Sequence, residues 1–253
     1  MVRSVMWQEL TAADLSEQAR ADAMVLLPVA SMEQHGPHLP VGVDAILCAG
    51  VCRRAAEAVV PTIAVIVAPT LWCGMAEHHM ALGGTFTFDL ATYRDVLSSL
   101  TSSIERNGFK RMLIVNGHGG NIAALAAILP DLQRQSSLKI RITTYFELAQ
   151  PAMPAILEDQ DGVRHACEAE TSMMLALAPE LVRGEALQAA HGPPQVHRRP
   201  LALGQYRSFR DFTASGVVGD ARRASREKGE KLMAACVAAI VAALKDPHTW
   251  DNS

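Results

Sequence analysis

The chain has 253 residues, enough for one large α/β domain, and nothing in its composition requires a second domain. Its net charge of −3, with histidine counted as neutral, gives no electrostatic reason to expect nucleic acid or an anionic membrane as a partner. Five scattered cysteines argue against a disulfide framework. With no secretion signal and no apolar run long enough to span a bilayer, the sequence predicts a cytoplasmic, enzyme-sized domain.

Apolar patterns along the chain predict strands that alternate with helices. An apolar run at 24–30 predicts a strand, a helical spacing follows over 44–60, and a β-branched run at 63–68 predicts a second strand before a loop at 69–88. The later predicted elements are a helix at 93–107, a strand at 111–115, a helix through 122–132, a strand at 139–145, a helix ending before Pro179 and a closing helix at 225–244. Residues 184–224 are predicted to form a long excursion over the surface. The alternation indicates a largely parallel sheet that is covered on both faces.

Metal-binding residue types cluster directly after the first predicted strand. Glu33 and His35 follow this strand as alternate residues, and Asp44 comes after the rigid turn GPHLP at 36–40. Zinc, manganese and iron all accept carboxylate and imidazole ligands. Alternate residues of an extended segment point to opposite sides, so Glu33 and His35 suit two metal ions better than one, with Asp44 between them. The competing interpretation is a polar loop that only caps a strand.

A glycine-rich turn, NGHGGN, follows the strand at 111–115 and contains His118. Its glycines permit close approach of a ligand, and the N–H groups of Gly119 and Gly120 at the following helix start are candidates to bind a polarised substrate oxygen. A phosphate loop is an alternative, but the turn lacks the Walker lysine and the dinucleotide spacing. Another alternative makes His118 a simple strand cap. Together with the residues after the first strand, His118 is better interpreted as a fourth ligand.

The segment HACEAETS at 165–172 carries a third group of such residues. On a helix start, His165 and Glu168 would share a face, whereas Glu168 and Glu170 would diverge. Acidic residues also compensate the dipole at a helix N-terminus, which is the plain structural explanation for both glutamates. A helix start does not call for a histidine, so His165 is the stronger functional candidate.

Taken in order, these residues resemble those of the creatininase family (creatinine amidohydrolases and relatives). The strings that carry the resemblance, over roughly residues 20–235, are VASMEQHGPHLPVGVD, EHHMALGGT, RMLIVNGHGGN, HACEAETSMML and GVVGDARRASREKGEKL. The resemblance implies one domain over 1–253 with a three-layer α/β sandwich and a mostly parallel central sheet. It also implies two divalent metal ions per chain (zinc, manganese or iron) and commonly a homohexamer.

Carried over by position, the resemblance also implies roles for individual residues. Glu33, Asp44 and His118 would hold one metal ion. His35 and Asp44 would hold the other, with Asp44 bridging the two ions. His165 would transfer a proton.

The chain departs from creatininase itself in two places. Creatininase has a tyrosine and a ligating glutamate where this chain has Gly119 and Gly120. Relatives with the GHGGN turn carry a glutamate that falls at Glu168, so Glu168 is the candidate replacement, with Glu170 as the alternative. Cys167 stands where the family has glycine. The aromatic side chains that would sandwich creatinine are not evident at the turn, which weakens creatinine as the substrate.

The implied reaction is hydrolysis of a small cyclic amide or a related C–N bond by a hydroxide that bridges the two metal ions. His165 would then protonate the departing nitrogen. The alternatives are a formamide deformylase, a peptidase for a cofactor precursor, a cyclic keto-polyol hydrolase, or a non-catalytic relative that binds a metal or ligand. His79, in the loop at 72–79, is a candidate substrate contact, with a subunit contact or a plain surface position as the alternatives. Nothing resembles Gly-x-Ser-x-Gly, which disfavours a serine hydrolase.

Overall fold

The computed structural model describes residues 4–60, 62–158, 160–195 and 205–251. Its strands are β1 (Met24–Val29), β2 (Val65–Val67), β3 (Arg111–Asn116) and β4 (Lys139–Thr144). They form one parallel sheet in the order β2, β1, β3, β4. The α-helices of the described ranges are α1 (Ala12–Arg20), α2 (Val43–Val59), α3 (Leu90–Arg106), α4 (Asn121–Gln135), α5 (Tyr145–Leu148), α6 (Glu168–Leu177) and α7 (Arg226–Lys245).

Alternate strand side chains enter two separate cores, which gives the molecule three layers. Leu26 and Leu113 belong to the core that also contains apolar residues of α2, α6 and α7. Leu27 and Ile114 belong to the opposite core, with residues of α1, α3 and α4. All six residues of β1 are buried, as expected for a central parallel strand with helices on both faces. The predicted α/β fold with a parallel central sheet is therefore confirmed.

The structure differs from the sequence interpretation in two places, before β1 and after β4. The prediction contained no helix before β1, whereas α1 begins at a capping box in which Thr11 accepts the Asp14 N–H and the Asp14 carboxylate accepts the Thr11 N–H. Tyr145 was assigned to the last strand but opens α5. Among the described helices, none is both long enough and apolar enough to cross a membrane.

The prediction that 184–224 runs only over the surface is wrong for part of this segment. Residues 196–204 lie outside the described residues, but Val217 and Val218 are buried. The Val218 N–H donates to the His165 carbonyl at 2.9 Å, so the segment returns to the interior beside a predicted site residue. Apolar burial and a backbone pairing to a distant residue, neither visible in the local pattern, hold it there.

Candidate metal centre

Two neighbouring strand ends bring the predicted ligands together. β1 and β3 pair in parallel register and end side by side, with Val29 opposite Asn116. Glu33 and His35 follow β1, and His118 is two residues past β3. The carboxyl ends of parallel strands are where ligands bind in open α/β sheets, and α2 begins beside them.

Two asparagines hold the turn that carries His118. Asn116 accepts the His118 N–H at 3.0 Å and donates its amide to the His118 carbonyl at 2.7 Å. Asn121 donates to the Ala30 carbonyl at 3.1 Å and accepts the Met75 N–H at 2.8 Å. These hydrogen bonds join the ends of β1 and β3 to the loop after β2, so the His118 backbone is fixed from three sides. Sequence reasoning had assigned no role to either asparagine, although both belong to the string NGHGGN.

The two glycines after His118 differ in their surroundings. A Cβ on Gly120 would lie 2.3 Å from His118 Nε2 and 2.4 Å from the Met75 carbonyl oxygen, so only glycine fits there. A Cβ on Gly119 would meet nothing within 4 Å, so this residue borders open space. The predicted contact of Gly119 and Gly120 with a substrate oxygen stays a prediction.

Asp44 lies between two histidines, each of which faces a different oxygen of its carboxylate. Oδ1 is 3.2 Å from His35 Nε2, and Oδ2 is 3.0 Å from His118 Nδ1. The same His118 nitrogen is 3.0 Å from Glu33 Oε2, and His35 Nε2 is 3.9 Å from Glu170 Oε2. Ligand atoms around a tetrahedral metal ion, with bonds of about 2.0–2.2 Å, are roughly 3.3–3.6 Å apart. Both groups of atoms therefore have a spacing close to that of a metal site.

Three histidines place one ring nitrogen on a backbone carbonyl and turn the other nitrogen towards the carboxylates. The carbonyl contacts are His35 Nδ1 with Glu33 at 3.0 Å, His118 Nε2 with Met75 at 3.2 Å and His165 Nε2 with Gln34 at 2.8 Å. Because a carbonyl oxygen only accepts, the nitrogen beside it carries a proton, and a neutral ring directs its remaining lone pair at the carboxylates. An outer partner that fixes the tautomer in this way is characteristic of metal-binding histidines.

Several of the converging atoms are buried without a hydrogen bond. Glu33 Oε2, His35 Nε2 and Asp44 Oδ2 have close neighbours at 3.0–3.2 Å, but among the described residues none of these contacts has the alignment of a hydrogen bond. Each unsatisfied buried polar atom costs about 1–3 kcal/mol, and a charged one costs more. Metal ions would satisfy these atoms together, so the donor set fits a metal centre better than a plain polar core.

Burial and neighbouring charges shift the pKa values of the histidines in two directions. Burial lowers the pKa of His35, but Asp44 outweighs this effect and raises that pKa to about 9. The pKa of His118 is also raised, since Glu33 and Asp44 together outweigh burial. By contrast, burial and the charge of His35 lower the pKa of His165 well below its ordinary value. In the metal-free protein, these shifts favour the protonated ring at His35 and His118 and the neutral ring at His165.

The structure does not bring Glu168 to this cluster, contrary to the expectation that it completes the second metal site. Its carboxylate is fully buried beside α7, where it accepts a hydrogen bond from Lys228 Nζ at 2.6 Å and from the Glu158 N–H at 3.2 Å. Glu168 and Glu170 are two residues apart on a helix and so point in diverging directions. With Glu168 committed to Lys228, Glu170 is the carboxylate that faces the cluster.

The turn before α6 orients the Glu170 carboxylate towards the cluster of histidines and carboxylates. The Ala166 N–H donates to Glu170 Oε2 at 2.5 Å, and burial raises the pKa of this carboxyl to about 7. Cys167 Sγ accepts hydrogen bonds from the Gln160 amide at 3.1 Å and the Arg164 N–H at 3.3 Å. Burial raises the pKa of the Cys167 thiol to about 11, so it stays protonated and closes the turn. This explains a residue for which the sequence offered no account.

His79, His165 and the ring of Phe209 pack together at one side of the cluster. His79 is buried, with Nε2 at 3.2 Å from Glu33 Oε1 and Nδ1 at 3.0 Å from Gln34 Nε2, so the interpretation as a plain surface histidine is wrong. The ring centroid of Phe209 is 4.1 Å from that of His79 and 4.7 Å from that of His165. Sequence reasoning missed Phe209 because the local pattern RSFRDF carries no signal for a site.

Comparisons with known proteins agree with the early resemblance. A family model described as Creatininase, creatinine amidohydrolase, matches residues 8–244. The creatinine amidohydrolase of Pseudomonas putida is 29% identical, with 97% of this chain and 98% of that protein covered. A mycofactocin precursor peptide peptidase of Mycolicibacterium smegmatis is 30% identical, with 85% and 81% covered. Two solved structures, described as a manganese creatininase and as a mutant creatininase of Zn–Zn type, each cover 98% of this chain and 99% of their own, at 28% identity and a TM-score of 0.82.

Proposed function

The chain belongs to the creatininase family, and a creatinine amidohydrolase and a peptide peptidase, both of which cleave C–N bonds, are among its relatives. We propose that it is a metal-dependent amidohydrolase for a small, cyclic amide. The observation that carries the proposal is the convergence of three carbonyl-oriented histidines on buried carboxylates. A plain polar core does not require several neutral histidine rings to turn a lone pair towards the same carboxylates.

Two metal positions are supported by the way Asp44 divides its oxygens between two histidines. We assign one position to Glu33 Oε2, Asp44 Oδ2 and His118 Nδ1. We assign the other to His35 Nε2, Asp44 Oδ1 and Glu170 Oε2. At these positions, bound divalent ions would supply Lewis-acid chemistry: polarisation of a carbonyl oxygen and a lowered pKa for the attacking water. Zinc and manganese are supported by the solved relatives, and iron also accepts this donor set.

Proton transfer is assigned to His165. Its Nε2–H donates to the Gln34 carbonyl, so the lone pair of Nδ1 faces the cluster, 3.5 Å from Glu33 Oε1. The lowered pKa keeps the ring neutral, and the free lone pair of Nδ1 is then the group that takes a proton from the attacking water. The ring then returns that proton to the departing nitrogen as the C–N bond breaks, a contribution of typically ~10²–10⁴ in rate. Phe209 covers the ring and excludes bulk water from that side.

The size of the substrate is limited by the burial of the cluster. Glu33, His35 and Asp44 are each 3% exposed or less, so a substrate must place its reacting group below the surface. An aromatic ring, that of Phe209, lies beside His165, and such a neighbour suits a flat ring or a planar amide. A small lactam meets both requirements, whereas a bulky internal peptide bond does not.

A substrate panel under metal control tests the proposed function. The purified chain is stripped with a chelator, reloaded with zinc or manganese, and assayed on creatinine, small lactams, formamides and short peptides. We expect hydrolysis of at least one lactam, loss on stripping and recovery on reloading, with a His165→Asn variant as the inactive control. Cleavage restricted to formamides or to peptides would favour those alternatives. Metal-loaded protein that cleaves nothing on the panel would contradict the amidohydrolase and favour a binding protein.

We further propose that the chain assembles into an oligomer, with six copies as the family resemblance implies. The support is an exposed aromatic pair in the loop after β2, since large exposed apolar groups mark contact surfaces. Trp72 is 46% exposed and Phe86 is 59% exposed, with their ring centroids 5.5 Å apart. Light scattering at micromolar concentration measures the mass, and a clean value of 27.2 kDa, that of one chain, would contradict assembly.

A further inference from the structure

The orientation of the Gln34 side-chain amide follows from its contact with Gly36. The Gly36 N–H donates to Gln34 Oε1 at 3.0 Å. Because a backbone N–H only donates, the oxygen of the amide must face Gly36 and the NH₂ group must face the opposite way. Gln34 is 8% exposed, so water does not compete for this group.

The NH₂ group of Gln34 has three neighbours but only two hydrogens. Its nitrogen lies 3.0 Å from His79 Nδ1, 3.0 Å from His165 Nε2 and 3.2 Å from the Gly216 carbonyl oxygen. His165 Nε2 is itself a donor, because it is 2.8 Å from the backbone carbonyl of Gln34. It therefore cannot accept from the NH₂ group, and the two hydrogens go to Gly216 and His79.

This assignment decides the tautomer of His79. Since Nδ1 accepts a hydrogen bond from Gln34, a neutral ring carries its hydrogen on Nε2. That Nε2–H points at Glu33 Oε1, 3.2 Å away. A hydrogen on Nδ1 would instead face the NH₂ group, with two donors opposed.

His79 therefore differs from the other three histidines of the site. His35, His118 and His165 each have an acceptor as the outer partner, which leaves a lone pair towards the cluster. His79 has a donor as its outer partner, so the nitrogen that faces the cluster carries a hydrogen. A metal ion needs a lone pair, so His79 serves Glu33 as a hydrogen-bond donor and is not a ligand.

We propose that Gln34 is a positioning residue, whose amide sets the Nε2–H tautomer of His79 so that His79 holds Glu33 Oε1 and leaves Oε2 to the metal. The effect on metal binding rests on the function proposed above, whereas the tautomer rests only on the hydrogen-bond pattern. In outer-shell networks of this kind, loss of one partner typically costs about 10–100-fold in metal affinity.

The first test reads the tautomer directly in the wild-type protein. Neutron diffraction from a deuterium-exchanged crystal of the zinc-loaded chain locates the exchangeable hydrogens. The proposal expects density for deuterium on His79 Nε2 and on the Gln34 nitrogen that faces it. Deuterium on His79 Nδ1, or an amide turned the other way, would overturn the proposal without any variant that has to fold.

The second test is a double-mutant cycle read by zinc affinity, with a competing chelator. Gln34→Met keeps the length of the side chain but removes its hydrogen bonds, and His79→Leu removes the ring. Each single variant should bind zinc about 10–100-fold more weakly at the affected position. If the effect of Gln34 passes through His79, Gln34→Met should change the affinity by less than about twofold when His79 is already leucine. Additive losses would refute the coupling.

A matched control separates positioning from general destabilisation. Gln133 donates to the Leu138 carbonyl at 2.7 Å and accepts the Ile140 N–H at 3.1 Å, at the far end of the sheet. Gln133→Met removes comparable hydrogen bonds and should leave zinc affinity unchanged. Equal losses of affinity in the two glutamine variants would overturn the proposal. A chain that binds zinc in this pattern yet cleaves no substrate would contradict only the proposed reaction.

Discussion

Isosteric substitution of the two glutamates in the first turn of α6 should separate metal binding from folding. Glu168→Gln and Glu170→Gln each replace one carboxylate oxygen by an amide group with almost no change of shape. The first alters the contact with Lys228 on α7, and the second alters the group 3.9 Å from His35 Nε2. We expect Glu168→Gln to lose stability and keep its metal ions, and Glu170→Gln to do the reverse.

The size of the Glu168 effect follows from its contacts. Removing one partner of a buried ion pair costs about 3–5 kcal/mol when the other charge is left unpaired. Lys228 keeps two further acceptors, a Glu158 carboxylate oxygen at 2.5 Å and the Arg223 carbonyl at 2.7 Å. The loss is therefore closer to that of one hydrogen bond to a charged group, about 1.5–3 kcal/mol of unfolding free energy.

Glu170→Gln should reduce the amount by which zinc binding raises the free energy of unfolding. Burial raises the pKa of Glu170 to about 7, so the metal-free fold favours the neutral carboxyl and loses stability as the pH rises from the ordinary pKa of a glutamate. A neutral glutamine avoids this cost, so the metal-free Glu170→Gln variant should be at least as stable as wild type. At zinc 100 times above the dissociation constant, binding adds about 2.7 kcal/mol, and a 100-fold weaker variant would keep only about 0.4 kcal/mol of this.

Denaturant unfolding of each variant, metal-free and at a fixed excess of zinc, measures both effects in one experiment. Wild type provides the reference shift on adding zinc. The account requires a full zinc shift in Glu168→Gln from a lower starting stability, and a small shift in Glu170→Gln from a starting stability no lower than that of wild type. The opposite pattern would return Glu168 to the metal site and refute the placement of both residues.

Three further predictions concern protonation, the aromatic cover and the first helix. Zinc binding near pH 7 should release protons and tighten as pH rises, because a neighbouring aspartate outweighs burial and raises the pKa of His35 to about 9. Calorimetry in two buffers with different ionisation enthalpies counts those protons, and equal heats in the two buffers would contradict this prediction. Phe209→Ala should lower kcat/KM roughly 2–10-fold with unchanged metal content, because an aromatic contact is worth about 0.5–1.5 kcal/mol. Unchanged kinetics would show that Phe209 does not contribute to the site. Thr11→Ala breaks the capping box with Asp14 and should cost about 1 kcal/mol in chemical denaturation, and no loss would mean that α1 is held by packing alone.

The predicted strands and the residues that follow them were accessible from the sequence because they depend on local pattern. Glu33, His35 and His118 stand at the ends of strongly apolar runs, and parallel pairing of those runs brings their ends to one edge. The capping box of α1 is also local, in the string TAAD, but the helix was not predicted from it.

The features that the sequence did not reveal depend on contacts between distant segments. Whether Glu168 or Glu170 faces the cluster depends on Lys228, 60 positions further along the chain. Phe209 reaches the histidines only because its segment folds back over the loop after β2, where Tyr206 donates to the Glu77 carbonyl at 3.2 Å. Periodicity carries no information about such pairings.

Anomalous diffraction from a zinc-reconstituted crystal tests the central claim most directly, because it locates the metal ions against Asp44. The account predicts two peaks about 3.5–4 Å apart, the separation typical of two-metal sites. One peak should lie between Asp44 Oδ1 and His35 Nε2, and the other between Asp44 Oδ2 and His118 Nδ1. A single peak, or two peaks that do not share Asp44, would contradict the account.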